Sequence, residues 1–289
     1  MSARPVILVT GADGQVGYEL RAQLAGFAKV HATTRRELDL ADPDAVARTV
    51  RTLRPAVIVN GAAYTAVDRA ETEPEVAFRV NAEAPGIMAA EAHRAGALLV
   101  HFSTDYVFDG AAHAPYREDA PTGPLNVYGA SKLAGERAIA AAGARALVFR
   151  TSWVYAERGS NFLLTMRRLA RERDELRVVA DQIGVPNSAR AIASAVVRVL
   201  QQGIGRAAER AGLYHLSCSG AASWYDFASA IVGANARTRV VPITTAEFPR
   251  PARRPAYGVL DGSRFAEAFG FALPPWREDL ADCLHRLAD

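Results

Sequence analysis

The sequence predicts an α/β fold, a doubly wound parallel sheet with a smaller C-terminal part interwoven with it. Three observations predict it. Five apolar runs rich in β-branched residues recur along the first half of the chain. Stretches of helical character separate them, and a glycine loop follows the first run and opens the first helix. Near-continuous apolar runs suit strands of a parallel sheet covered on both faces. Strand–helix alternation is the pattern of that fold class.

Taken in order, residues 5–10 (PVILVT) read as strand one, followed by a helix over 15–25. Strand two covers 28–33, and a helix follows over 43–53, where Asp42-Pro43 has the form of an N-cap followed by a first-turn proline. Strand three covers 56–60, a long helix 74–95, strand four 97–103, a helix 127–142 and strand five 146–150. Beyond residue 150 the pattern loosens. Helices are expected over 161–173, 188–202, 223–232, 264–269 and 275–287, and strands over 176–179 and 212–216. Prolines 242, 249, 251 and 255 mark a long loop. The expected division is 1–155 for the sheet-forming core and 156–289 for the second part, with a late core strand near 212–216.

Composition narrows the function classes. The chain has 289 residues, is 50% hydrophobic and 22% charged, which is the balance of a folded globular protein rather than a disordered one. Its two cysteines, Cys218 and Cys283, lie far apart, which suits a reducing compartment and speaks against a structural zinc site. No apolar run approaches the ~20 residues of a membrane span, and residues 1–10 do not read as a signal peptide, so a cytoplasmic location and no membrane partner are expected. The net charge of +3 is spread along the chain without a basic stripe, so no nucleic-acid partner is expected. His31, His93, His101, His113, His215 and His285 show no metal spacing, and His101 alternates with strand residues as a packed or hydrogen-bonded histidine would. Of the 34 basic residues only Lys29 and Lys132 are lysine. In so arginine-rich a chain, a retained lysine calls for a reason, because the planar guanidinium cannot replace an ammonium everywhere.

Three segments carry chemistry. Thr10–Gly17 (TGADGQVG) is a GxxGxxG loop between a strand and a helix. Glycines allow a tight turn and close approach to a pyrophosphate, and the helix N-terminus offers free N–H groups, so a Rossmann-type dinucleotide site is expected here. Strand two runs into Thr34-Arg35-Arg36 with no acid before Glu37. Arginine at this point suits the 2′-phosphate of NADPH better than the bare ribose of NADH, which stays the alternative cofactor. The second segment is Tyr128-Gly129-Ala130-Ser131-Lys132, where a phenol and an ammonium share one helix face. An ammonium beside a phenol favours the phenolate and is expected to lower its pKa from ~10. The third is STDYVFDG at 103–110, at the carboxyl end of strand four, where ligands bind in open α/β sheets. There Thr104 can bond a substrate carbonyl and Asp105 a sugar hydroxyl.

These three segments together resemble the extended short-chain dehydrogenase/reductase family. The words VNGAAYTAVD (59–68), PLNVYG (124–129), RTSWVY (150–155), DQIGVP (181–186) and GLYH (212–215) narrow the resemblance to its dTDP-4-dehydrorhamnose reductase branch. That resemblance implies roles by position. Tyr128 would give a proton to the C4 oxygen of a dTDP-4-keto-6-deoxysugar while NADPH reduces C4. Thr104 stands where many relatives carry serine, and Lys132 would bind the nicotinamide ribose. Asp105, Tyr106 and Trp153 would contact the substrate. Gly11, Asp13, Gly14, Gln15 and Val16 would line the pyrophosphate, Arg35 the ribose phosphate, Asp39 and Leu40 the adenine, and Ala62, Ala63 and Thr65 the rest of the cofactor. Arg254 matches an Arg-Pro pair that would meet the nucleotide diphosphate, although Gly258 replaces the family's serine shortly after it. Some relatives join two subunits through acidic residues around a divalent metal. Glu19 fits that pattern but Arg190 stands at the partner position, so no metal is expected, and a homodimer is left open. Two rivals remain on sequence grounds. One is a reductase, epimerase or dehydratase of another nucleotide sugar, although a dehydratase would want Asp-Glu after Thr104. The other is a non-catalytic dinucleotide-binding regulatory subunit.

Overall fold

A computed structural model describes residues 4–233 and 237–287. β1 (Val6–Thr10), α1 (Gln15–Leu24), β2 (Lys29–Thr33), α2 (Pro43–Leu53) and β3 (Val57–Asn60) open the chain. Two short helices, α3 (Val67–Ala70) and α4 (Pro74–Phe78), lead through a π-helical turn at Arg79–Glu83 into α5 (Ala84–Ala95). β4 (Leu98–Thr104), α6 (Val127–Ala141) and β5 (Ala146–Thr151) follow. The rest runs β6 (Val154–Tyr155), α7 (Phe162–Glu172), β7 (Glu175–Val179), β8 (Ile183–Gly184), β9 (Asn187–Ser188), α8 (Ala189–Gln201), α9 (Ile204–Glu209), β10 (Gly212–His215), β11 (Ala222–Ser223), α10 (Trp224–Val232), β12 (Arg239–Ile243), α11 (Ser263–Phe269) and α12 (Trp276–Arg286).

β1 to β5 and β10 form one six-stranded parallel sheet in the order β10-β5-β4-β3-β1-β2. Its strands alternate faces with a period of two. Ile7, Val9, Val57, Val59, Leu98, Val100, Leu147 and Phe149 pack on one side with α1 and α8, while Leu8, Ile58, Leu99 and Val148 pack on the other with α2, α5 and α6. β1, β3, β4 and β5 are buried along most of their length, while the two edge strands, β2 and β10, are partly exposed. From β1 the chain goes outward to β2, then crosses back to β3 on the other side. This reversal opens a crevice at the carboxyl ends of β1 and β3, the place where doubly wound sheets take their ligands. β10 returns to the sheet beside β5, so the sheet draws strands from both sides of residue 155.

Two differences from the sequence reading have local causes. The helix expected over 74–95 is broken by the π-turn, which turns Asn81 inward. Its Oδ1 accepts from the Tyr64 N–H (2.8 Å), and its Nδ2 donates to the Tyr64 carbonyl (3.0 Å) and to Ser131 Oγ (3.0 Å) on α6. α3, α9 and β12 lie outside the expected elements. Each is short, and β12 gains its strand form by pairing with β7 rather than from local pattern.

α6 lies very close to the π-turn. A Cβ added at Gly135 would sit 2.1 Å from the Asn81 carbonyl oxygen. Gly135→Ala is therefore expected to push the two helices apart and lower stability by about 1–3 kcal/mol, read from urea unfolding.

Candidate active site

The glycine loop is shaped by close approach. Gly11 has φ +69°, and a Cβ there would sit 2.8 Å from the Ala62 backbone. A Cβ on Gly17 would lie 2.1 Å from the Gly11 carbonyl oxygen, so α1 can start against the loop only with glycine there. The Gly14 N–H closes the turn onto Gly11 O (2.9 Å), and the Ala12 N–H bonds Thr33 O at the end of β2 (3.0 Å). The first turn of α1 thus opens into the crevice with its N–H groups free to meet an anion. Asp13 is exposed, Gln15 and Val16 half-buried. Ala62 and Ala63 form the facing wall, and Thr65 is exposed beyond them.

Arg35 and Arg36 lie just past β2, exposed to solvent. Arg35 Nε is 3.8 Å from Asp39 Oδ2, a loose pair that leaves the guanidinium available. The Asp39 side chain accepts from the Ala41 N–H (3.0 Å). Leu40 turns inward among Leu38, Val46 and Val50, so its side chain supports the wall from beneath.

A second group meets the loop that sequence reasoning missed. Arg158 Nη1 donates to Asp13 O (3.4 Å), and its guanidinium lies 3.7 Å from the centre of the Tyr18 ring. Asn161 Nδ2 donates to Gln15 Oε1 (3.0 Å). Both come from the turn before α7, and only the folded chain brings that turn over the glycine loop.

The residues expected to react lie where β4 ends and α6 begins. Thr104 and Asp105 are buried, and Thr104 Oγ1 donates to Asp105 Oδ1 (3.0 Å) while accepting from the Tyr106 N–H (3.2 Å). The Tyr106 and Tyr128 rings meet edge-on, 5.6 Å between centres. α6 is capped by Asn126, whose Oδ1 accepts from the Gly129 N–H (2.8 Å) and whose Nδ2 donates to Arg253 O (2.7 Å). A Cβ at Gly129 would be 2.2 Å from Tyr106 O, so this glycine lets the helix settle on the end of β4. Lys132 is buried and donates to the Phe102 carbonyl of β4 (2.6 Å).

One expectation is corrected here. Lys132 does not draw the phenol of Tyr128 down. Burial dominates and pushes Tyr128 up to about 12, opposed by the Thr104 hydroxyl beside it. The lysine is tied to the strand carbonyl instead, and burial lowers it to about 8.

The residues expected on the substrate side come from several separate segments. Asp68, at the start of α3, gathers Arg250 Nη2 (2.6 Å), the Ala252 N–H (3.2 Å) and Arg254 Nη1 (2.5 Å). The Arg254 bond is the main reason that the Asp68 carboxyl falls to about 2. The Arg254 guanidinium also faces the Tyr106 hydroxyl. Trp153 follows β5 with φ +43°, its ring stacked on Trp224 with centres 3.6 Å apart. A Cβ at Gly184 would meet that ring at 2.6 Å, so Trp153 lies flat against backbone. Gly258, joined to β8 through Ile183 O (2.7 Å), abuts Asp105, where an added Cβ would be 2.6 Å from Oδ2. That Oδ2 has no hydrogen-bond partner among the described residues. Glu19 and Arg190 pair with each other at 3.7 Å.

The glycine loop after β1, Thr104 at the end of β4 and the start of α6 therefore all lie at the carboxyl edge of one parallel sheet. The family described as RmlD substrate binding domain matches residues 5–289. The chain belongs to this family. It is 49% identical to a dTDP-4-dehydrorhamnose reductase of Burkholderia thailandensis, over 97% of this chain and 98% of the relative. Among solved structures, a dTDP-4-dehydrorhamnose reductase of Clostridium acetobutylicum superposes with TM-score 0.93 at 39% identity, covering 98% of this chain and 100% of that one. A dTDP-4-dehydrorhamnose reductase of Bacillus anthracis in complex with NADP gives 0.91 at 35% identity, covering 98% and 100%. Family members are thus alike over the whole chain, both the sheet and the part packed on its carboxyl edge.

The Asp105 carboxyl gives a pH test. Burial raises it to about 7. Between about 4, its unfolded value, and about 7 the folded protein holds a proton that the unfolded chain releases, so stability falls as pH rises through that window. The urea midpoint of the wild type is expected to drop from pH 4.5 to 7.5 by more than that of Asp105→Asn, which cannot titrate. Equal slopes would show that this carboxyl is ionised throughout.

Proposed function

We propose that this chain is an NADPH-dependent oxidoreductase that reduces the C4 keto group of dTDP-4-dehydro-L-rhamnose to give dTDP-L-rhamnose. What supports the reading is Thr104 at the carboxyl end of β4 and Tyr128 in the first turn of α6, on the same edge of the sheet as the glycine loop after β1. The names of the full-length relatives and the NADP held by the Bacillus anthracis structure support it.

The residues divide the work. Gly11, Gly14 and the first turn of α1, with Asp13, Gln15 and Val16, hold the pyrophosphate, and Arg35 faces the 2′-phosphate. Asp39 and Leu40 flank the adenine, while Ala62, Ala63 and Thr65 line the opposite wall. The bound dihydronicotinamide supplies the hydride for C4. Thr104 donates a hydrogen bond to the C4 oxygen, and Tyr128 gives that oxygen its proton. A phenol raised to about 12 is fully protonated at neutral pH, which is the form a reduction requires. Lys132 holds the nicotinamide ribose beside Tyr128. Asp105, Tyr106 and Trp153 contact the sugar, and Arg254 neutralises diphosphate charge. The two free, buried thiols suit a reducing cytoplasm.

Two measurements test this. Consumption of NADPH at 340 nm with dTDP-4-dehydro-L-rhamnose is expected, and Tyr128→Phe should cut kcat by about 10²–10⁴. Tight cofactor binding without turnover would instead favour a regulatory subunit, and turnover confined to another 4-keto sugar would reassign the substrate. For the cofactor, Arg35→Ala is expected to raise KM for NADPH by roughly tenfold and leave KM for NADH nearly unchanged. An equal rise for both would remove Arg35 from the phosphate.

A further inference from the structure

Four buried polar side chains cross the sheet beneath the crevice. They are Thr10 on β1, Asn60 on β3, His101 on β4 and Lys132 on α6. Register sets Thr10 beside Asn60 and Asn60 beside His101. Thr10 Oγ1 donates to Asn60 Oδ1 (2.7 Å), Asn60 Nδ2 lies 3.0 Å from His101 Nδ1, and His101 Nε2 lies 3.3 Å from Lys132 Nζ. A polar line through a sheet core persists only if each member is satisfied, so the direction of every bond matters.

The direction is set at Asn60. The Ala62 N–H donates to Asn60 Oδ1 (3.3 Å), and a backbone N–H can only donate. The amide oxygen therefore faces the loop, and the amide nitrogen faces the imidazole. His101 Nδ1 must then accept. A neutral imidazole carries one proton, so that proton sits on Nε2 and points at Lys132. Moving it to Nδ1 would set two donors against each other across the Asn60 contact. Turning the Asn60 amide to relieve them would cost the bonds from Thr10 and Ala62.

We propose that His101, held by Asn60 as the Nε2–H tautomer, is a positioning residue for Lys132: it denies the amine an acceptor at the imidazole, directs its N–H bonds to Phe102 O and to the crevice, and eases the loss of its proton. This deepens the reductase reading and rests on it for the role of Lys132. A neutral amine fits the contact better than an ammonium, because its lone pair can accept from Nε2–H while two N–H bonds remain. The other groups around Lys132 are Tyr128, one turn back on α6, and Glu136, one turn on. Glu136 favours the ammonium, but Arg150 on β5 holds its carboxylate through two bonds of 2.8 and 2.7 Å. His101 itself is kept neutral by burial and by the nearby lysine.

The test reads the tautomer first. In ¹⁵N NMR of histidine-labelled, cofactor-free protein, with His101→Gln identifying the signals, His101 is expected to show the Nε2–H pattern. An Nδ1–H pattern or an imidazolium overturns the proposal. This readout needs no turnover, so it stands or falls apart from the assigned reaction. Asn60→Asp then places an acceptor opposite Nδ1 and keeps acceptors for Thr10 and Ala62. It is expected to move the proton to Nδ1 and to shift the basic limb of the kcat–pH profile upward by about one unit. A lower kcat with tautomer and limb unmoved would mean that the line is only structural, which also overturns the proposal. If that variant does not fold, the wild-type spectrum decides alone.

Discussion

The seat of α6 on the end of β4 is the constraint on which the site depends. Lys132 reaches back from the second turn of the helix to the Phe102 carbonyl, so a buried hydrogen bond fixes helix to strand beside Thr104. Glycines make the approach possible. At Gly129 and Gly135 any side chain would collide with backbone, of Tyr106 in one case and Asn81 in the other. The Asn126 cap then joins the helix start to Arg253. α6 is thereby tied both to the strand that carries Thr104 and to the loop that carries Arg254.

The same ends of the strands gather polar groups that a sheet core would ordinarily exclude. Thr10, Asn60, His101, Thr104 and Asp105 are all buried there. Most find partners in one another or in nearby backbone. Asp105 Oδ2 is the exception, and burial raises its carboxyl to about 7. An unpaired buried oxygen costs stability in the free protein, and at a binding site that cost is recovered when a ligand supplies the missing bond. Asp68 draws three donors of the 250–254 segment onto one carboxylate, which holds Arg254 in place.

How much of this the sequence disclosed follows from how local each signal is. The central strands β1, β3, β4 and β5 were legible because each is a short apolar run buried on both faces. The glycine loop and Tyr128–Lys132 were legible because turn geometry and helix periodicity act over a few residues. Arg158 and Asn161 were not, since their place over the glycine loop depends on how the turn before α7 returns to the sheet. The π-turn at Asn81 was hidden for a similar reason: its cause is a partner on α6, fifty positions along. The expected effect of Lys132 on Tyr128 came from proximity alone, whereas the folded chain ties the lysine to a carbonyl and lets burial decide the phenol's pKa. His101 was recognised as a satisfied strand histidine, but its direction toward Lys132 required the Ala62 contact that orients Asn60.

The central claim is that this crevice brings a hydride donor and the Tyr128 phenol to opposite ends of one carbonyl bond. Isotope tracing tests it most directly. With NADPH deuterated at the transferable position and dTDP-4-dehydro-L-rhamnose as substrate, NMR of the product should show deuterium at C4 of the sugar and at no other carbon. Deuterium at another position, or consumption of the ketone with the label retained on the cofactor, would contradict the account.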